Sequence, residues 1–156
     1  MKRADWTRHL FDIDQRARDS VLDLLRHRYV REKQHAMRYR QHAERIRREF
    51  RDTLISMAVE EERHAASIGA KIIDLGEKLP DVIPIHVAQE ANSWSYLRTD
   101  LEEEQRCAGE MSNLPDISGK FSEIAELLVG MDSDSERHRT MLRDMLARSV
   151  PQPLGI

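Results

Sequence analysis

The stretch Phe50 to Leu75, FRDTLISMAVEEERHAASIGAKIIDL, constrains the fold more than any other part of the chain. Phe50, Leu54, Met57, Ile68, Ile72 and Leu75 recur at spacings of three and four, which places them on one face of a long helix. The same register passes through Glu61 and His64, so two ionisable groups fall where a core belongs. A lone carboxylate withdrawn from water costs several kcal/mol or takes up a proton. A Glu-x-x-His pair in the seam therefore calls for a cation or for dense hydrogen bonding, with matching groups brought to the same depth by other helices.

The rest of the chain repeats this pattern. Residues Gln15 to Ile46 contain neither Gly nor Pro, and Leu25, Tyr29, Glu32, Ala36, Tyr39, Ala43 and Ile46 keep a heptad-like spacing. A turn is expected at Arg47 to Glu49, because a rod fusing the first two helices would reach roughly 90 Å, too long for one small domain to cover. The second helix runs from Arg48 to Gly76, its stop. Glu77 to Gln89 carries Pro80 and Pro84 and reads as a long connection travelling the length of a bundle, which makes the second and third helices parallel.

The third helix, Glu90 to Ser112, places Trp94, Leu97, Leu101, Glu104, Ala108 and Met111 on one face. Asn113 to Gly119 is a turn in which Ser118 caps the last helix. That helix, Ser118 to Ser149, aligns Phe121, Ile124, Leu128, Met131, Ser135, His138, Leu142 and Met145. The expected organisation is an N-terminal lead over 1–14, a four-helix bundle over 15–149 and a flexible tail over 150–156.

Composition agrees with an all-α domain and excludes several classes. Charged residues make up 34% of the 156 and aromatics 5%, a profile of long helices rather than strands. The net charge of −3 offers no broad attraction for nucleic acid, and the arginines between Arg38 and Arg51 alternate with Glu44 and Glu49 as on a solvated helix face. Cys107 is the single cysteine, so no internal disulfide and no Cys-x-x-Cys centre can form. The N-terminus has no apolar signal core and no run is long enough to span a membrane, so a cytoplasmic location is expected.

Four helices thus each carry polar groups into the seam: Glu32, then Glu61 with His64, then Glu104, then His138. One such residue in a bundle is ordinarily hydrogen-bonded, but four coincide here. Three carboxylates and two imidazoles form a donor set suited to a pair of first-row metals such as iron or manganese. Glu32 and His35 make a second Glu-x-x-His, with His35 at the flank of the stripe as a surface or outer residue. Asp100 is expected to be an exposed acid, and His9, His27, His42 and His86 surface residues. Tyr39 should pack in the seam with a polar partner for its hydroxyl, and Met57, Met111, Met131, Met141 and Met145 should fill the core.

Glu32 seven residues before Tyr39, the segment EEERHA at Glu60 to Ala65, and DLEEE at Asp100 to Glu104 together resemble the ferritin-like superfamily, notably its rubrerythrin and bacterioferritin branches. The resemblance covers Val21 to Ala147. It implies an up-down-down-up four-helix bundle with a long crossover between helices two and three, and a carboxylate-bridged di-iron centre. Such a centre takes Glu from helices one and three and Glu-x-x-His from helices two and four. The positions that match are Glu32, Glu61, His64, Glu104 and His138. The remaining acid falls on Ser135, with Asp134 as a shorter substitute and Glu136 on another face.

The function implied is a di-metal oxidoreductase, ferroxidase or peroxidase-like, which oxidises Fe2+ or reduces O2 or peroxide in iron handling or oxidative-stress defence. The alternative is a bundle with a degraded or single-metal site at Ser135, acting as a metal-binding or interaction module. Haem is not expected, because Glu62 stands where haem-binding bacterioferritins carry Met. Without rubredoxin-type cysteine pairs, a separate electron donor is implied, together with a homo-oligomer of two or more chains. The absence of a fifth helix after Ser149 disfavours a complete storage shell. Pro153-Leu154-Gly155-Ile156 resembles the terminal peptides of cargo for encapsulin shells.

Overall fold

In the computed structural model, residues 3–111 and 119–149 are described, with side chains over 14–109 and 119–149. They form helices α1 (Arg3–Ala43), α2 (Arg48–Asp74), α3 (Ser93–Met111) and α4 (Ser122–Arg148), with a 3-10 turn at Gly119–Phe121 ahead of α4. No β-strand occurs among the described residues. Helix α1 is continuous from Arg3, earlier than the expected Gln15, since nothing in the lead interrupts a helix. The Ser118 cap, the Met111 side chain, the His9 side chain and the C-terminal PLGI segment lie outside the described residues.

The α1–α2 turn spans residues 44–47 and needs no left-handed residue. Both Arg45 and Ile46 donate their backbone N–H to the His42 carbonyl at 2.9 Å, Arg51 Nε donates to the Ala43 carbonyl at 3.0 Å, and Ile46 is buried. Backbone N–H groups of the turn together with the Arg51 side chain thus do what a Gly C-cap does elsewhere, which is why the sequence carries no turn signature at this point. At the far end of α2, Gly76 adopts φ +81° and the Glu77 N–H returns to the Ile72 carbonyl at 3.2 Å, the stop read from the sequence.

The segment after Gly76 lies along α1. Arg18 donates to the Leu75 carbonyl at 2.6 Å, Gln34 to Ile83 at 3.4 Å and Arg45 to Val87 at 3.1 Å. Gln41 donates to the Ile85 carbonyl at 2.7 Å and accepts from the Val87 N–H at 3.0 Å, satisfying an extended backbone as a neighbouring strand would. Asn92 Oδ1 then accepts from the Ser95 N–H at 2.9 Å and caps α3.

Burial of the helix faces divides into two apolar clusters. Tyr39, Ala43, Phe50, Leu54, Met57, Leu97, Leu142 and Met145 pack at one end. Val21, Leu25, Ile68, Ile72, Ile124, Leu128 and Met131 pack at the other. Each fully buried Leu, Ile or Phe contributes about 1.5–3 kcal/mol, so these clusters carry the stability and leave the level between them free to be polar. On α1, α2 and α4 that level holds Glu32, then Glu61 with His64, then His138. Helix α3 is rotated from the expected register: Tyr96, Leu97, Asp100, Glu104 and Cys107 are buried, whereas Trp94 sits at the rim under Arg98, 5.2 Å from its ring. Asp100 sets that rotation by reaching His42 across the core, so neither is the surface residue the sequence suggested.

Candidate metal centre

The five seam residues Glu32, Glu61, His64, Glu104 and His138 are all buried, none more than 8% exposed. Spacing explains the local part: residues three apart share a helix face, so Glu61 and His64 point together, with His64 Nδ1 3.4 Å from Glu61 Oε2. The packing of α1 on α2 adds Glu32, whose Oε2 lies 3.3 Å from the same nitrogen. Helix α4 brings His138 Nδ1 to 2.9 Å from Glu61 Oε1.

His35 was placed at the flank by the sequence, but it is buried in the centre. Its Nδ1 lies 3.5 Å from Glu104 Oε1, the oxygen to which Tyr39 donates at 2.5 Å. Two donor triads result, Glu32–Glu61–His64 and His35–Glu61–Glu104, each with ligand atoms within 4.8 Å of one another and with Glu61 common to both. A further triad, His35–Glu103–Cys107, lies on the outer side of His35. The signal for His35 was present as the second Glu-x-x-His, but a stripe drawn through Ala36 and Tyr39 leaves it one position off the centre line.

The three imidazoles share one orientation. Each turns Nδ1 towards the carboxylates and Nε2 towards an acid outside them: His64 to Asp134 at 3.0 Å, His138 to Glu60 at 2.7 Å, His35 to Glu103 at 3.6 Å. An outer carboxylate on the second nitrogen fixes the tautomer that leaves the first free to bind a cation. Asp134, the shorter substitute for the acid missing at Ser135, is half-exposed, bonded to Arg137 and seated behind His64. Glu136 is exposed and pairs with Arg139, as expected of a residue on another face.

The electrostatics are those of a crowded anionic pocket. Burial raises the Glu61 carboxyl, and the neighbouring Glu32 raises it further. Burial also opposes ionisation of Glu32, but hydrogen bonds from Glu61 and His64 and the charge of Arg28 outweigh it and hold Glu32 well below the usual range. Arg28 is itself buried, pairing closely with Glu32 and, at 3.1 Å, with Asp132. Burial disfavours the charged imidazoles, yet the surrounding groups push both to about 10: Cys107, Glu103 and Glu104 for His35, and Glu32, Glu61 and Asp134 for His64.

The donor set fits a bound cation on an observation independent of resemblance. Glu61 Oε1 and His138 Nδ1 face each other as a fully buried ion pair at 2.9 Å, aligned outside good hydrogen-bond geometry. A buried pair so misaligned forgoes part of its hydrogen bond, and a cation held between the carboxylate oxygen and the imidazole nitrogen would satisfy both.

Comparison with protein-family models and with curated protein sequences finds no match. A solved structure from Bacillus anthracis str. Ames, described as ferritin like, diiron-carboxylate proteins, matches with a TM-score of 0.56 at 20% identity, covering 83% of this chain and 97% of that one. The chain has the ferritin-like fold. Among the described residues no helix is long and apolar enough to cross a membrane.

Proposed function

We propose that the protein is a di-metal carboxylate oxidoreductase of ferritin-like type, with iron as the first candidate and manganese the second. The observation that carries the reading is the shared Glu61: two donor triads meet on one buried carboxylate, flanked by imidazoles that are each oriented by an outer acid. Glu32, Glu61 and His64 would hold one ion. His35, Glu61 and Glu104 would hold the other, with His138 joining through Nδ1. This keeps the five residues read from the sequence and adds His35, which compensates for the neutral Ser135. The connection supports the up-down-down-up topology with a long crossover, since it runs back along α1 from Arg18 at Leu75 to Arg45 at Val87 and brings Ser93, at the start of α3, to accept from the Arg47 N–H at the start of α2.

A bound pair of redox-active ions supplies one-electron steps towards O2 or peroxide. The chain's own residues do the rest. Glu32, Glu61 and Glu104 neutralise the cations, and the two apolar clusters on either side exclude bulk water. The Tyr39 hydroxyl holds Glu104 in place by donating to Oε1, while Asp134, Glu60 and Glu103 keep the three rings turned inward. The resemblance further supports a homo-oligomer and a separate electron donor, without haem, and with an encapsulin shell as a partner to test.

A second reading has one observation in its favour. Arg28 places a guanidinium against Glu32, as in a polar layer closed by ion pairs with one metal or none. Metal analysis after aerobic purification, followed by ferrous titration under O2, separates the two. Two ions per chain with ferrous oxidation above the blank is the expected result; substoichiometric metal and no oxidation would leave a binding or interaction module.

A further inference from the structure

Behind His35, on the side turned away from the centre, three donors of different kinds converge. Helix α3 carries Glu103 and Cys107 four residues apart on one face, and α1 turns His35 Nε2 towards both. The donor atoms form a nearly equilateral triangle: His35 Nε2 lies 3.6 Å from Cys107 Sγ and 3.6 Å from Glu103 Oε1, and Sγ lies 3.7 Å from that oxygen. An ion held tetrahedrally at about 2.0–2.3 Å from nitrogen, oxygen and sulfur separates its ligands by roughly 3.4–3.6 Å. The three side chains already stand at the corners of such a site. His35 and Glu103 also line a cavity of about 470 Å³ next to Pro80 of the connection, which gives an ion its approach and leaves room for a water as fourth ligand.

The partners these groups already have are compatible with a cation. Glu103 accepts from Arg106 at 2.6 Å and lies 3.7 Å from Arg38, and Arg106 also reaches Cys107 Sγ at 3.8 Å. Arg106 is more than half exposed and pairs with Glu103 along one helix, a class of ion pair that holds weakly, so an entering ion displaces its head. Cys107 ligates as thiolate, and thiolate with the Glu103 carboxylate matches the charge of one divalent ion. Of the other nearby guanidiniums, Arg38 also faces Asp100, and Arg31 has a partner and shares a cavity wall with Glu32 and Glu104. Sulfur sets the selectivity: thiolate favours zinc-like ions, whereas the carboxylates of the centre favour harder ones such as manganese.

We propose that His35 Nε2, Glu103 and Cys107 form a site for one thiophilic divalent ion of the zinc class, which competes with the centre for His35. A ring that gives Nε2 to one ion serves another through Nδ1 only as imidazolate, so the outer ion weakens the inner one. The site stands by itself; only the competition rests on the di-metal reading. The reduced full-length chain is titrated anaerobically with cadmium(II), followed by native mass spectrometry and by thiolate-to-metal charge-transfer absorption in the ultraviolet. Cys107 is the single cysteine, so that band reports on it alone. The band is expected to saturate at the first equivalent, and Glu103→Gln, which keeps the thiol, should weaken that equivalent by at least about tenfold, the loss that even an outer partner causes. No band in the wild type, or affinity unchanged in Glu103→Gln, would overturn the site. Manganese(II) binding, counted by electron paramagnetic resonance, tests the competition: one equivalent of cadmium should weaken the second manganese by about tenfold in the wild type and leave it unchanged in Cys107→Ser. Two manganese ions indifferent to cadmium would overturn the competition. The cadmium band without any bound manganese would overturn the di-metal reading and leave the outer site standing.

Discussion

The two helical hairpins contribute unequally to the polar level of the bundle. Helices α1 and α2 each bring a complete Glu-x-x-His, Glu32 with His35 and Glu61 with His64, whereas α3 and α4 bring one acid and one imidazole, Glu104 and His138. The second hairpin instead supplies much of what holds the first in place: Asp134 stands behind His64 and Glu103 behind His35. Helix α2 returns the favour once, with Glu60 behind His138. On the proposed reading a metal centre would tolerate a neutral residue at Ser135 on α4, because the donors are concentrated on α1 and α2 and the acids that orient the imidazoles come from α2, α3 and α4.

The asymmetry can be broken most severely at Glu61, the carboxylate common to both triads. Glu61→Ala is expected to weaken binding of both ions by more than about 100-fold, beyond what an outer partner costs, as read by metal titration. Glu61→Gln should lose metal equally. Because burial already disfavours its charge, the melting temperature of the metal-free Gln variant should hold or rise. Loss of only one ion from either variant would show that Glu61 is not shared.

Arg28 sharpens the contrast with an effect of opposite signs. Arg28→Leu removes the partner of buried Glu32, so the metal-free protein should lose about 3–5 kcal/mol in urea unfolding. The same change removes a cation that competes for Glu32, so metal affinity should increase. A fall in both would place Arg28 among the groups that metal binding needs. A smaller effect is expected from the outer acids: Asp134→Asn and Glu60→Gln should each cost about 10–100-fold in metal affinity without unfolding the bundle. Since Asp134 stands behind an α2 imidazole and Glu60 behind the α4 one, the larger loss should fall on Asp134→Asn.

The last contrast is between metal-free and loaded protein as pH changes. With His35 and His64 raised to about 10, both imidazoles are protonated at neutral pH in the absence of metal. Their contribution to stability is complete below the ordinary imidazole value near 6.5 and is lost as pH rises through about 10. Glu32 acts in the other direction, contributing above the ordinary carboxylate value and losing its contribution as pH falls through its depressed one. Metal binding would displace the imidazole protons, so calorimetry in buffers of different ionisation enthalpy should show at least about two protons released, and affinity should rise with pH. Binding without proton release would mean that neither ring is a ligand.

The sequence made the helical scaffold and the level of the site legible because both rest on periodicity. Glu32, Glu61, Glu104 and His138 stand where the stripes placed them, between apolar residues that pack as expected. What periodicity missed was rotation. One position of twist on α3 buries Asp100 and Cys107 in place of Leu101 and Ala108, and an off-centre place on α1 conceals His35 and His42. Those residues are buried because polar partners on another helix meet them, as with His42 Nδ1 and Asp100 at 2.9 Å, and single-helix patterns do not carry that information. The α1–α2 turn was placed close to its position, yet its chemistry lies in side chains such as Arg51, whose role depends on the finished fold.

The most direct test is anomalous diffraction from crystals soaked in manganese or iron. The account requires two peaks about 3.5–4 Å apart, the spacing of a two-metal site, one among Glu32, Glu61 and His64 and the other among His35, Glu61 and Glu104. A single peak at His35, Glu103 and Cys107, or no peak between the apolar clusters, would contradict it.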